Sequence, residues 1–542
     1  MASRPAVPII VGVGDVRNKS FKVEDAVEPA QLMVRAIRNA FSDTGLAEPL
    51  QKELLLKADS LRVVPTWTWA YKDLPGSIAS GLGINPRTRV MPDHGGNQPA
   101  LQCDEAARAI ANGESDVAIL TGGEALASLG ACQKAGQTPP KGWEEADPSG
   151  KSLASLDMSI LKESAGTRHS MGLPIHVYPL YENCRRAHRK QTYQQNSHES
   201  ACMYADFDKI ASGNEFSWNA GEPVKSAEFI GTVSKKNRMI CDPYPLLMNA
   251  FNAVNLAAAC IVTSTEYAEK LGIPRDRWVY VLGGAGTHEK DYFWERPHFH
   301  DSPALSRSID AGLEVSGLTR EQVDVYDFYS CFPIVPKLAC DHLGLPTTGG
   351  DKPISLLGGL TSFGGAGNNY SMHAISAMAR VLRTKKHKNG LILANGGMLT
   401  HQHVLCLSAQ QRSDGRAYPS RNPLPLILDE SSPPFTESAE GPATIEVRYP
   451  LPRIPTYLAA NWLTIVSCLQ TYTIEYDRQG APSLGLIVGK LQGSGRRFLA
   501  NHGDEQTLAQ LANTSAEQVG RAGFVRKDDE RNLFFFDLKT RL

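Results

Sequence analysis

At 542 residues, with 56 Lys plus Arg against 57 Asp plus Glu, the chain is nearly neutral and long enough for two or three domains with their own cores. No excess of positive charge points to nucleic acid or an anionic membrane, and no run approaches the roughly 18 uninterrupted apolar residues of a membrane span. Ten cysteines without a Cys-x-x-Cys pair fit the reduced thiols of an intracellular protein.

In chain order, PAVPIIVGVGD lacks a secretory cleavage pattern and predicts a buried strand over Pro8–Val13. Gly12-x-Gly14 lacks the third glycine of a dinucleotide fingerprint and reads as a turn. A helix from Pro29 stops at Gly45-Leu46, and an apolar strand follows at Leu61–Val64. Residues 98–124 then run as an Ala-rich helix, a Gly turn, an apolar strand and a Gly pair. A polar insertion at about 130–240 includes a basic-faced stretch with Arg185, Arg186, His188, Arg189 and Lys190, and the first half resumes in a strand and helix near 245–270.

The second half repeats the order. A strand at Trp278–Leu282 leads to a helix from Pro303 that stops at Gly317-Leu318, then to a strand at Val323–Phe328. Residues 368–398 mirror 98–124. The echo predicts a duplicated α/β domain with its chemistry at loops beyond strand ends. A Pro-, Ser- and acid-rich stretch argues against regular structure, and beyond it period-two patterning predicts a small all-β, OB-like domain. The expected layout is 1–270 for the first half with its insertion, 271–412 for the second half, 413–442 for the linker and 443–542 for the β domain.

The ordered motifs INPRTRVMPDHGGN, IANGESDVAILTGGEAL, VDVYDFYSCFP, GGLTSFGGAGNNYSMHAI and GLILANGG resemble the thiolase superfamily. The likeness is to sterol-carrier-protein-type thiolases and, with the added β domain, to thiolase-like protein type 1. It implies a duplicated αβαβα fold and acyl-CoA chemistry through a nucleophilic Cys, a His and a second Cys. Here the nucleophile's position falls on Gly96, the Gly-His-Pro motif on Gly364-Gly365-Ala366, and the second Cys on Ala394. The family's His-Asp-Cys-Phe is matched by Tyr329-Ser330-Cys331-Phe332, and Cys103, two turns into its helix, is no substitute nucleophile.

The resemblance therefore implies an acyl-CoA-handling enzyme, an acyltransferase or related thioester chemistry without the usual Cys-His-Cys set. The alternative is a non-catalytic acyl-CoA or acyl-carrier binding protein, and a scaffold whose β domain binds a protein or nucleic acid is a third reading. The catalytic candidates are Cys331, His373, His94 and Asn395, since a thiol near an imidazole can serve as nucleophile or acid/base. Cys331 is otherwise a buried thiol and His373 a packing residue. Gly95, Gly96, Gly396 and Gly397 can offer N–H groups to a thioester oxygen. Asn97, Tyr329, Ser330, Asn368, Asn369 and Tyr370 complete the binding set, the Asn368-Asn369 pair serving otherwise as helix caps. His298-x-His300 and His401-x-His403 could each place two imidazoles on one strand face, but no Cys or carboxylate set accompanies them and no metal is expected. The basic stretch could meet CoA phosphates or form a solvated face. No cofactor beyond a CoA thioester ligand, no nucleic acid and a monomer or homodimer are expected. Cytoplasm is the expected compartment, with the peroxisome as alternative because Thr540-Arg541-Leu542 partly resembles a peroxisomal tripeptide.

Overall fold

The first predicted strand forms with its apolar residues inside: in a computed structural model, β1 (Pro8–Arg17) buries Ile9, Ile10 and Val11 completely. The structure describes residues 6–149, 162–438, 465–492 and 494–537. The linker end at 439–442, the first part of the expected β domain and the Thr540-Arg541-Leu542 tripeptide lie outside the described residues.

The first half continues through the helix Pro29–Asp43, β2 (Ser60–Val63), β3 (Thr88–Val90), the helix Gln98–Ala111 and β4 (Val117–Ala125). The insertion contributes the helices Pro174–His188 and Tyr193–Gly213 and two short strands, β5 (Met239–Cys241) and β6 (Tyr244–Pro245), before β7 (Asn255–Ser264). The second half comprises β8 (Val279–His288), the helix Pro303–Ser316, β9 (Val325–Phe328), the helix Tyr370–Arg383, β10 (Asn389–Gly396) and β11 (His401–Ser408). The C-terminal region adds β12 (Ile465–Tyr476), β13 (Pro482–Leu491), β14 (Arg497–His502), the helix Glu505–Leu511, β15 (Ala522–Asp528) and β16 (Arg531–Phe535). As the glycines foretell, Gly317 ends its helix in the left-handed conformation at φ 67°, and Gly45 has φ 75° just past its own helix.

The strand order β3-β2-β4-β7-β1-β8-β11-β10-β9 makes the duplication visible. In each half a parallel pair, β2 with β4 or β9 with β10, is followed by two antiparallel pairings inward, and the first half adds β3, parallel to β2, at its edge. β1 and β8 join the halves through Ile9–Tyr280 and Ile10–Val279. The helices Gln98–Ala111 and Tyr370–Arg383 pack on each other and on strands of both halves, so their N-termini meet near the centre. This is the αβαβα arrangement that the sequence resemblance implies.

The C-terminal strands close on themselves: β12 pairs with β13 and β15, β13 with β14, β14 with β16 in parallel, and β16 with β15. The ring is extended by β5 through Cys241–Glu475. Arg497, 1% exposed, donates to the carbonyls of Trp294, Arg296 and Pro297, while the Asn183 amide donates to Tyr472 O at 3.0 Å. Leu486, Val488 and Leu499 of the barrel share the main apolar core. The linker has no regular strands over its described part, yet it is docked: Leu428 N donates to His288 O and Thr287 Oγ1 to Pro425 O.

Two expectations are corrected. His298 and His300 lie in the loop before the helix Pro303–Ser316, on no strand. The basic stretch is not a free cationic face: Arg185 and Arg186 are buried and pair with Asp341, Glu199 and Glu517, and Arg189 also holds Asp341. Burying a guanidinium is tolerable only with such partners, which take up the charge that CoA phosphates would need. No helix among the described residues is long and apolar enough to cross a membrane.

Candidate functional site

Four loops converge where the two central helices begin. Gly95 and Gly96 open the helix Gln98–Ala111, Tyr329, Ser330 and Cys331 follow β9, and Asn395, Gly396 and Gly397 close β10. The third loop carries Asn368, Asn369 and Tyr370 at the start of the helix Tyr370–Arg383.

The Gly96 position, where the resemblance puts the family's nucleophile, is crowded from outside. A Cβ on Gly96 would lie 2.7 Å from Tyr329 Oη and would also strike the Asn395 carbonyl, so a side chain there requires Tyr329 and the Asn395 backbone to shift. A Cβ on Gly365, where the family's His would stand, would strike the Asn252 side chain. Asn97 starts the helix without capping it, and its Oδ1 is buried without a hydrogen-bond partner among the described residues.

Around Cys331 the side chains are locked together. Asn395 Nδ2 donates to Tyr178 Oη at 2.8 Å and reaches toward Cys331 Sγ at 3.9 Å, and Asn395 Oδ1 accepts from Gln402 Nε2 at 2.7 Å. Tyr178 Oη donates to Gly397 O at 2.9 Å and accepts from Leu399 N at 3.2 Å. Burial pushes the Cys331 thiol up to about 12, with the Tyr178 hydrogen bond opposing it only in part. A thiol so placed stays protonated near neutrality, whereas a nucleophilic Cys needs a depressed pKa. Ser330 is fully buried and donates to Phe328 O at 2.6 Å.

His373 stands apart from this cluster. Its Nδ1 meets Asp15 Oδ1 at 2.6 Å, its ring lies 5.1 Å from that of Phe363, and Arg380 holds the other Asp15 oxygen at 2.7 Å. The hollow of about 720 Å³ that His373 lines includes Asp15, Phe363 and Arg380, and not Cys331 or Gly96. His94 instead faces the third loop: its Nδ1 accepts from Asn368 Nδ2 at 2.9 Å, and burial holds the imidazole below its ordinary value, opposed by Asp93. Neither Asn368 nor Asn369 caps the helix through its side chain. Their amides donate to Pro65 O and Gly122 O, tying the second half to the first. Tyr370 Oη accepts from Gly359 N, and its ring meets Tyr329 edge-on at 5.4 Å.

Sequence reasoning did not single out Tyr178, Gln402 or Glu124. Tyr178 comes from the insertion and Gln402 from β11, and neither sits in a motif. Glu124, next to last in the buried β4, was visible as an acid in a buried run. It accepts from Trp67 N, Thr66 and Thr68, and burial pushes it up to about 7.

The architecture is a thiolase-like fold with an extra C-terminal domain. Residues 447–530 match the family described as thiolase-like protein type 1 additional C-terminal domain. The chain is similar to a monomeric SCP2-thiolase like protein type 1 from Mycobacterium smegmatis, at 27% identity and TM-score 0.76, covering 98% of this chain and 99% of that one. An Ltp2-ChsH2(DUF35) aldolase, at 18% identity and TM-score 0.55, covers 75% of this chain and 99% of its own. Human mitochondrial 3-ketoacyl-CoA thiolase in complex with CoA, at 12% identity and TM-score 0.53, covers 74% and 98%. No curated protein sequence matches the chain.

Proposed function

We propose that this protein holds an acyl-CoA or acyl-carrier thioester at the thiolase-type centre and forms no cysteine acyl-enzyme. The observation that carries the second clause is the closure of the Gly96 position by Tyr329 and Asn395. Ligand binding is supported by the fold shared with a thiolase crystallised with CoA and by the buried, unpartnered Oδ1 atoms of Asn97 and Asn369, acceptors suited to an amide or hydroxyl donor.

Acyl transfer or thioester hydrolysis is the second reading. It rests on the Gln402–Asn395–Tyr178 chain beside Cys331 and on the glycine N–H groups, which could polarise a thioester carbonyl. Calorimetric titration with CoA and acetyl-CoA tests binding, and a thioester-consumption assay over a range of acyl lengths tests turnover. Binding without consumption sustains the proposal. Consumption that disappears in Asn395→Ala supports the second reading, and the absence of both removes the thioester from the account.

A further inference from the structure

The loop Pro297–Asp301 is pinned at both ends by groups unconnected with the thiolase centre. Pro297 O accepts from Arg497 Nη2 at 3.0 Å, and Phe299 is buried against Tyr181 and Phe293 with the Arg497 guanidinium 4.8 Å from its ring. On the far side Ser302 caps the next helix and donates to Glu289 at 2.7 Å. With Phe299 turned inward, His298 and His300 project together on the other side, their ring centroids 5.0 Å apart.

One donor atom from each of His298, His300 and Asp301 lies within 4.8 Å of the other two. No hydrogen bond among the described residues uses either imidazole, and His300 Nε2 stands 3.8 Å from Asp301 Oδ2, too far for one. Asp301 Oδ1 is buried and has no hydrogen-bond partner among the described residues, an arrangement that is costly unless something else satisfies it. His188, the last residue of the helix Pro174–His188, stacks on His300 at 4.1 Å and 13°, which fixes the imidazole plane.

We infer that His298, His300 and Asp301 bind a divalent transition-metal ion of the zinc class at the junction of the second half, the insertion helix and the C-terminal barrel. Two imidazoles and a carboxylate suit zinc, cobalt or nickel better than calcium or magnesium, which prefer all-oxygen shells. Tetrahedral bonds of about 2.0–2.2 Å require the three donors to draw closer together around the ion. Three protein ligands leave the fourth position open to water or an external anion. His188 is a positioning residue. An ion here would hold the Pro297–Asp301 loop, and through Arg497 it would steady the barrel against the core.

The test uses the full chain freed of metal with a chelator and dialysed. Zinc is titrated by calorimetry and cobalt by visible absorption, with melting temperature followed in parallel. One equivalent of metal is expected, with a melting temperature that rises on zinc addition. His298→Ala, His300→Ala and Asp301→Asn should each weaken binding by about tenfold or more. His401→Ala, in the other imidazole pair, should leave it unchanged. Equal melting temperatures in chelator show that the variants still fold. Binding that persists in the His298→Ala/His300→Ala double variant, or no binding by the parent protein, overturns the inference.

Discussion

Cys331 decides at the level of single residues whether the centre can do covalent chemistry. Its thiol, pushed up to about 12 by burial, should resist iodoacetamide at pH 8 in the folded protein, while the partly exposed Cys202 reacts first. Mass spectrometry of alkylated peptides reads this directly, and rapid labelling of Cys331 would restore it as a nucleophile. Rebuilding the missing group is a second test. Gly96→Cys drives a side chain into Tyr329 Oη and the Asn395 carbonyl, so it should cost about 1–3 kcal/mol of stability and give no acetoacetyl-CoA thiolysis. Thiolysis by that variant at an ordinary enzyme rate would mean the remaining groups suffice. The buried acids give a pH signature. Glu124 and Asp327 are both pushed up to about 7 by burial, from ordinary values of 4.5 and 3.8. As pH rises from about 4 to 7 the unfolded chain releases these protons while the folded protein keeps them, so stability falls with pH across that window and levels above it. Each group contributes on the order of 3–4 kcal/mol to the fall. Glu124→Gln should reduce the slope of the pH 4–8 stability curve in urea titrations by roughly half, Asp327 supplying the rest, and an unchanged slope would show that Glu124 ionises normally.

At the level of elements, Arg497 ties β14 to the loop before the helix Pro303–Ser316. Its guanidinium is buried, donates to three carbonyls of the 294–297 loop and to Gln470 Oε1, and is held down to about 10 by burial. Arg497→Ala leaves those carbonyls without donors, so a loss of about 2–4 kcal/mol is expected by thermal or urea unfolding. A change below 0.5 kcal/mol, the usual range for a surface site, would mean that water replaces the donors. The elements divide by how local their causes are. The helices ending at Gly45 and Gly317 and the fully buried, largely apolar strands β4 and β10 were legible, because caps and runs of buried residues act within a few positions. The repeat leads to the expectation that Cys331 and His373 face one cleft floored by Gly96 and Gly396-Gly397; Gly96 and Cys331 do lie close to Tyr329 and Asn395, while His373 turns to Asp15. The locking of that centre by Tyr178 was not legible, because its partners Asn395 and Gly397 lie more than 200 positions away. The same holds for His373, whose partner Asp15 sits at the end of β1, and for the arginines of the insertion, which find acids in other elements.

For the whole molecule the question is whether the C-terminal barrel is a detachable module. The linker makes detachment look easy: among the described residues no backbone hydrogen bond holds 429–433, whereas Leu428 and Thr436 on either side are tied to His288 and Arg497. A broad-specificity protease should therefore nick this stretch before any core element. The interface argues that nicking will not release the barrel. Thr471 and Thr473 donate to Leu180 O and Asp242 O, Asn501 Nδ2 donates to His169 O at 2.9 Å, and Asn532 N donates to His169 Nε2 at 2.9 Å. Arg186 pairs with Glu517, and Leu486, Val488 and Leu499 bury their side chains in the main core. Separation would expose that apolar surface, at about 25 cal/mol per Å², together with a row of polar groups matched only to each other. The nicked protein should elute from a sizing column at its original volume, with both fragments in one peak until urea is added. A chain ending at residue 438 should aggregate or melt well below the parent. Two separate native peaks after nicking, or a soluble truncated chain melting at the parent temperature, would show the barrel to be an independent domain merely tethered to the thiolase fold.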